Sequence, residues 1–162
     1  MAAFDRRSSS YEQGPLAAWH AAVISTTAQI AIGAAGAPQH VLDIGCGTGQ
    51  LLRPLAQQLP QAVDLVGVDP AAGMIATGRQ WPALDPRIRL SQAAAEALPH
   101  PDASFDLVVS TVSFDHWANQ GAGLRETARV LRDGARLVLA DLCATWAVAR
   151  HRPRPETGSH TA

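Results

Sequence analysis

Apolar residues recur along this chain in two rhythms, and their alternation predicts the fold class. Leu16, Trp19, Val23 and Ile30 fall at helical spacing and predict an amphipathic helix over about 16–32, closed by Gly33, Gly36 and Pro38. Val41-Leu42-Asp43-Ile44 is a short apolar run carrying one acid, the pattern of a strand buried on both faces. Leu51, Leu52, Leu55 and Leu59 then make one apolar helix face that Pro60 stops. Asp64 to Asp69 is a second β-rich run. Arg87-Ile88-Arg89-Leu90 alternates charged with apolar in the manner of an edge strand, and Phe105 to Val112 is another buried strand. Leu124, Ala128 and Leu131 mark a further helix with Asp133-Gly134 as its stop, and Arg136 to Leu142 reads as the fifth strand. Strands alternating with helices predict an α/β fold, with a mainly parallel sheet joined by right-handed crossovers.

The first strand runs directly into Gly45-Cys46-Gly47-Thr48-Gly49. Three glycines at alternate positions make a turn bare of side chains, where backbone can approach a ligand and the amides of the next helix face it. The spacing is G-x-G-x-G rather than the G-x-G-x-x-G of dinucleotide-binding folds. Asp69 lies 20 residues beyond Gly49, at the end of the neighbouring strand. A carboxylate there can accept from both hydroxyls of a ribose, so turn and acid together read as a nucleoside site; the other reading of Asp69 is a helix N-cap before Ala71. Pro70 follows, and Met74, one turn into the next helix, suits either a purine face or the core.

These residues resemble the first motifs of the class I S-adenosylmethionine-dependent methyltransferases, in their small-molecule branch. The likeness rests on Asp43-Ile44-Gly45-Cys46-Gly47-Thr48-Gly49, Val66-Gly67-Val68-Asp69, Ala95-Glu96-Ala97-Leu98-Pro99, Phe105-Asp106-Leu107-Val108-Val109 and Ala128 to Gly134, in that order over about residues 38–142. It implies a Rossmann-like three-layer sandwich, S-adenosyl-L-methionine as cofactor and transfer of a methyl group to a small-molecule acceptor. Residues 1–37 would then be a lid or packing segment with Tyr11 near the sulfonium, 38–142 the cofactor-binding core, and 143–162 a short C-terminal segment. By the same resemblance Asp43, Gly45, Cys46, Gly47 and Gly49 hold the methionine end, the amides near Gly45 and Gly47 in particular. Asp69 with Pro70 and Met74 hold the nucleoside, Ala94, Ala95 and Glu96 the adenine, and Thr111 touches the cofactor. An acid usual in the place of Ala94 is absent, which removes about 1.5–3 kcal/mol of charged hydrogen bonding to the adenine amine.

His116, beside Asp115 past the fourth strand, is the candidate general base, needed only for a poorly acidic acceptor; a locally bonded loop histidine is the plainer reading. Two other functions share part of this pattern. A nicotinamide oxidoreductase would use the same turn and Asp69, but the third glycine comes one residue early and a chain without lysine has no Tyr-x-x-x-Lys pair. A non-catalytic cofactor-binding domain is the other, since the family core carries two more strands than this pattern supplies. The fifth strand's bare edge then calls for a homodimer, a cover from Leu142 to Ala149, or a shortened chain.

Composition narrows partners more than chemistry. A formal charge of -1 provides no basic field for nucleic acid or an anionic membrane. Cys46 and Cys143 have no metal-ligand spacing and read as reduced thiols, which with the lack of a charged-then-apolar leader predicts a cytoplasmic protein. The arginine- and proline-rich stretch 150–162 has too little apolar content to form strands and reads as disordered.

Overall fold

In the computed structural model, which describes residues 16–61, 63–82 and 84–141, successive strands send alternate side chains to two separate apolar layers. The elements are α1 (Ala17–Ala35), β1 (His40–Ile44), α2 (Leu52–Gln58), β2 (Asp64–Asp69), α3 (Ala72–Arg79), β3 (Ile88–Gln92), β4 (Phe105–Thr111), α4 (Gln120–Val130) and β5 (Leu131–Ala140). All pairings are parallel, in the order β3-β2-β1-β4-β5. Val41, Leu65, Leu107 and Val109 face one way, against Ala28 and Ala31 of α1, Leu52 and Leu55 of α2 and Ile75 of α3. Leu42, Val66, Val68 and Val108 face the other way, against Leu98 and Val130 at the end of α4. Helices therefore cover both faces, which is why the central strands are apolar almost throughout. This is the Rossmann-like three-layer arrangement.

The sheet's two edges differ. β3 keeps the alternation seen in its sequence, with Arg89 exposed and ion-paired to Asp64 at 3.0 Å. Arg87 ties the turn before β3 to the end of α2, its guanidinium donating to the carbonyls of Ala56, Leu59 and Pro60 and pairing with Asp85 at 2.9 Å. β5 forms the opposite edge, with Leu137 and Leu139 each 38% exposed.

The last helix and strand depart from the sequence expectation. The helix was expected to end at Asp133-Gly134 and the strand to begin at Arg136, yet α4 stops at Val130 and β5 begins at Leu131. Two backbone donors explain this. The N–H groups of Ala103 and Ser104 donate to the carbonyls of Arg129 and Val130 (2.9 and 2.8 Å), satisfying the helix end without a glycine. Leu131 can then pair with Phe105 while Arg136 pairs with Leu107, so residues 132–135 bulge out of the ladder. Gly134, at φ 77°, serves that bulge rather than a helix stop. Tyr11 and the proposed cover from Leu142 to Ala149 lie outside the described residues.

Candidate functional site

The glycine turn leaves β1 at its carboxyl end and is fastened to β2 by its own backbone. The N–H groups of Gly45 and Cys46 both donate to the Val68 carbonyl (2.8 and 3.0 Å), and Gly49 N–H closes the turn on the Cys46 carbonyl (2.8 Å). Gly47 N–H donates to Asp69 Oδ2 (2.9 Å), while Asp69 Oδ1 accepts from Ala71 N–H (2.8 Å). One carboxylate thus fastens the start of α3 and the turn at once. The expectation that amides at Gly45 and Gly47 face a ligand needs correcting, because both donate within the protein. What the turn offers a ligand is bare surface beside the Asp69 carboxylate.

Gly45 sits at φ 75° with Ser113 directly against it: a methyl there would collide with the Ser113 hydroxyl and lie 2.5 Å from its Cβ. No other residue type fits that backbone and that space. Gly67 serves the turn from β2, where a Cβ would lie 2.8 Å from Cys46 Sγ and 2.9 Å from Leu52 Cδ1.

A cavity of about 270 Å³ opens at this end of the sheet. Asp43, Gly45, Cys46 and Gly47 line it from β1 and the turn, and Asp69, Pro70 and Met74 from β2 and α3. Ala94, Ala95 and Glu96 line it beyond β3, Thr111 at the end of β4 and His116 beyond it. Gly49 does not reach the cavity; its Cα faces Leu90, so its part is the turn's geometry. Asp115 stays away from the lining, so the structure does not bring the suggested His116–Asp115 pair to one site. Residues the sequence did not single out here are His20 and Ile24, brought over the cavity by α1. Their distance along the chain left no local signal.

Asp43 is 2% exposed, and its carboxyl is pushed up to about 8 by burial and then by the negative charge of Asp69. Burial, with Asp43 and Asp69, also drives the Cys46 thiol upward, so Cys46 is an apolar wall and no nucleophile. A carboxyl raised in the folded state keeps a proton that the unfolded chain releases above about pH 4. Stability should therefore fall as pH rises from about 4 to 8, and level off above that. Asp43→Asn is expected to flatten this slope, so its melting temperature should decline less than wild type between pH 5 and 8. Parallel pH profiles for the two proteins would mean that Asp43 is ionised in the fold.

Past β4 the backbone bends sharply. Val112 has φ 51°, rare for a β-branched residue, and lines the cavity between Thr111 and Ser113. Thr111 lines the cavity, and its Oγ1 is buried with no hydrogen-bond partner among the described residues. Trp117 Nε1 donates to Ser113 Oγ at 3.1 Å, so the serine lying on Gly45 also anchors the indole.

Comparison with known proteins fits this geometry. A family described as a methyltransferase domain matches residues 41–134. The chain belongs to that family. The ubiquinone/menaquinone biosynthesis C-methyltransferase of Geobacter sulfurreducens is 39% identical over 104 residues, covering 62% of this chain and 41% of the relative. The demethylmenaquinone methyltransferase of Deinococcus radiodurans is 41% identical over 108 residues, 66% of this chain and 44% of the relative. The chain thus spans about two fifths of the length of these curated relatives. Among solved structures, a putative S-adenosylmethionine-dependent methyltransferase of Methanococcus maripaludis superposes with a TM-score of 0.73 at 24% identity, over 83% of this chain and 62% of that one, a likeness of fold.

Membership in the methyltransferase-domain family implies S-adenosylmethionine as the group for this cavity, and three features of the structure fit such a ligand. The turn is bare where a ligand chain would pass, the Asp69 carboxylate lies on the cavity wall, and buried Thr111 Oγ1 has no partner among the described residues.

Proposed function

We propose that this methyltransferase domain binds S-adenosylmethionine in the cavity and transfers its methyl group to a small-molecule acceptor. One observation carries the reading: residues from β1, β2, β4 and the segment after β3 converge on one hollow at the carboxyl ends of a parallel sheet, where ligands of open α/β folds bind. When bound, the cofactor supplies a methyl already made electrophilic by its sulfonium. The chain's own part is to hold the partners in line, an effect that can reach about 7–11 kcal/mol in well-oriented reactions. Asp43 and the glycine turn would hold the methionine end, Asp69 the ribose, and Met74 with Ala94 to Glu96 the base. Thr111 would touch the cofactor and His116 would face the acceptor, taking a proton where the acceptor requires it. In this arrangement α1, through His20 and Ile24, acts as the lid and residues 38–142 as the binding core.

Calorimetry on the purified chain tests the reading: S-adenosylhomocysteine should bind and NAD should not. Binding of neither would end both enzyme readings. A panel of hydroxyl, carbon and amine acceptors then separates turnover from a domain that only holds the cofactor, the alternative supported by Ala94 where the resemblance expects an acid. His116→Ala is expected to leave S-adenosylhomocysteine affinity within about twofold while slowing turnover on hydroxyl acceptors; a large loss of cofactor affinity would move His116 off the acceptor side.

Two further statements belong to this proposal. A homodimer joined along the outer edge of β5 would cover Leu137 and Leu139, and sedimentation should then report twice the chain mass. A cytoplasmic location keeps Cys46 a thiol. No helix among the described residues is long and apolar enough to cross a membrane.

A further inference from the structure

The base end of the cavity is the wall formed by Met74, Ala94, Ala95, Glu96 and Trp117. Its position follows from the sheet: ribose at Asp69 on β2 leaves the next strand outward, β3, and the residues after it to border the base. Met74 is 2% exposed, and Ala94 and Ala95 supply only methyl groups. The turn here is closed by Ala97 N–H on the Ala94 carbonyl (3.2 Å), and the N–H of Ala95 is left out of that bond. Glu96, the one acid on this wall, accepts from Asn119 N–H at 2.8 Å, while Asn119 Oδ1 caps α4 at Ala122 N–H (2.9 Å). Its carboxylate is thereby tied through Oε1 to the start of α4.

Trp117 is fixed on three sides. Its Nε1 donates to Ser113, its ring stands edge-on to Phe114 with centroids 5.1 Å apart, and its Cζ3 lies 2.7 Å from where a Cβ on Gly123 would be. Only glycine at 123 lets the indole lie so close to α4. A large aromatic surface is thus set in place ahead of any ligand, with little freedom left to lose on binding.

Building on the proposed cofactor, we infer that the base is held by this apolar slot, with no side chain accepting from its exocyclic amine, so that the chain does not distinguish adenine from a purine without that amine. The base then gains its affinity from stacking and burial, which are indifferent to the group at C6.

The test is calorimetry on the full chain with S-adenosyl-L-homocysteine and with its 6-desamino analogue, in which purine replaces adenine and the N1 acceptor is kept. The two dissociation constants should agree within about fivefold. Ala94→Asp is expected to tighten the adenosyl ligand about tenfold while leaving the desamino ligand unimproved, creating a preference the wild type lacks. A wild-type preference for the adenosyl ligand above fivefold would overturn the inference, and its loss in Glu96→Gln would assign the amine to Glu96. Binding of neither ligand would overturn the cofactor reading itself, a result distinct from binding of one. Trp117→Ala should weaken both ligands at least tenfold and equally, with Trp117→Phe recovering part of the loss. Unequal losses would mean that the indole contacts the amine side, against the inference.

Discussion

Asp69→Ala is expected to weaken S-adenosylhomocysteine at least tenfold, a loss of about 1.4 kcal/mol or more. The carboxylate stands at the end of β2 on the cavity wall, and its removal takes away the acid that the proposed function assigns to the ribose hydroxyls. The same substitution acts on the protein itself. Gly47 N–H and Ala71 N–H both lose their partner, and each unpaired amide in a poorly hydrated place costs about 1–3 kcal/mol. A lower melting temperature alone is therefore no proof of ligand contact. Asp69→Asn separates the effects: its amide oxygen keeps one of the two backbone acceptances while its NH₂ cannot accept from a hydroxyl. It should retain more stability than Asp69→Ala but little more affinity. Unchanged calorimetric affinity in both variants would reduce Asp69 to a fastening for the turn and for α3.

Gly45→Ala should have the largest effect on the fold. Two independent penalties combine: a left-handed backbone at φ 75°, and a collision with Ser113. Strain of this kind amounts to about 1–3 kcal/mol, and overpacking adds about 1–3 kcal/mol. The variant is expected to lose about 2–6 kcal/mol, lowering the melting temperature by roughly 4–24 °C. Adding Ser113→Gly removes the collision but not the strain, so the double variant should regain part of the loss. A Gly45→Ala protein melting within 2 °C of wild type would mean that β1, the turn and Ser113 do not meet as described.

The architecture was legible because it is written in local patterns. The apolar runs at 41–44, 64–69 and 105–112 became β1, β2 and β4, and the charged-apolar alternation at 87–90 became the edge strand β3. The bond from Asp69 to the start of α3 was visible because it depends on the acid's place at the end of a strand. What stayed hidden depends on residues far apart. No periodicity indicates that Ser113 will lie on Gly45, or that Ala103 and Ser104 will terminate α4 at Val130. The three glycines were informative about backbone shape, but which groups take the amides they expose is decided by neighbouring strands. That is why amides expected to serve a ligand turned out to serve Val68 and Asp69.

Those bonds from the turn to β2 have a kinetic consequence. A loop riveted to its neighbour at three amides has no ordering left to do when a guest arrives, so encounter and docking should merge into a single event. Stopped-flow fluorescence from the indole at 117 is then expected to show one phase whose rate climbs in proportion to ligand concentration, with no plateau.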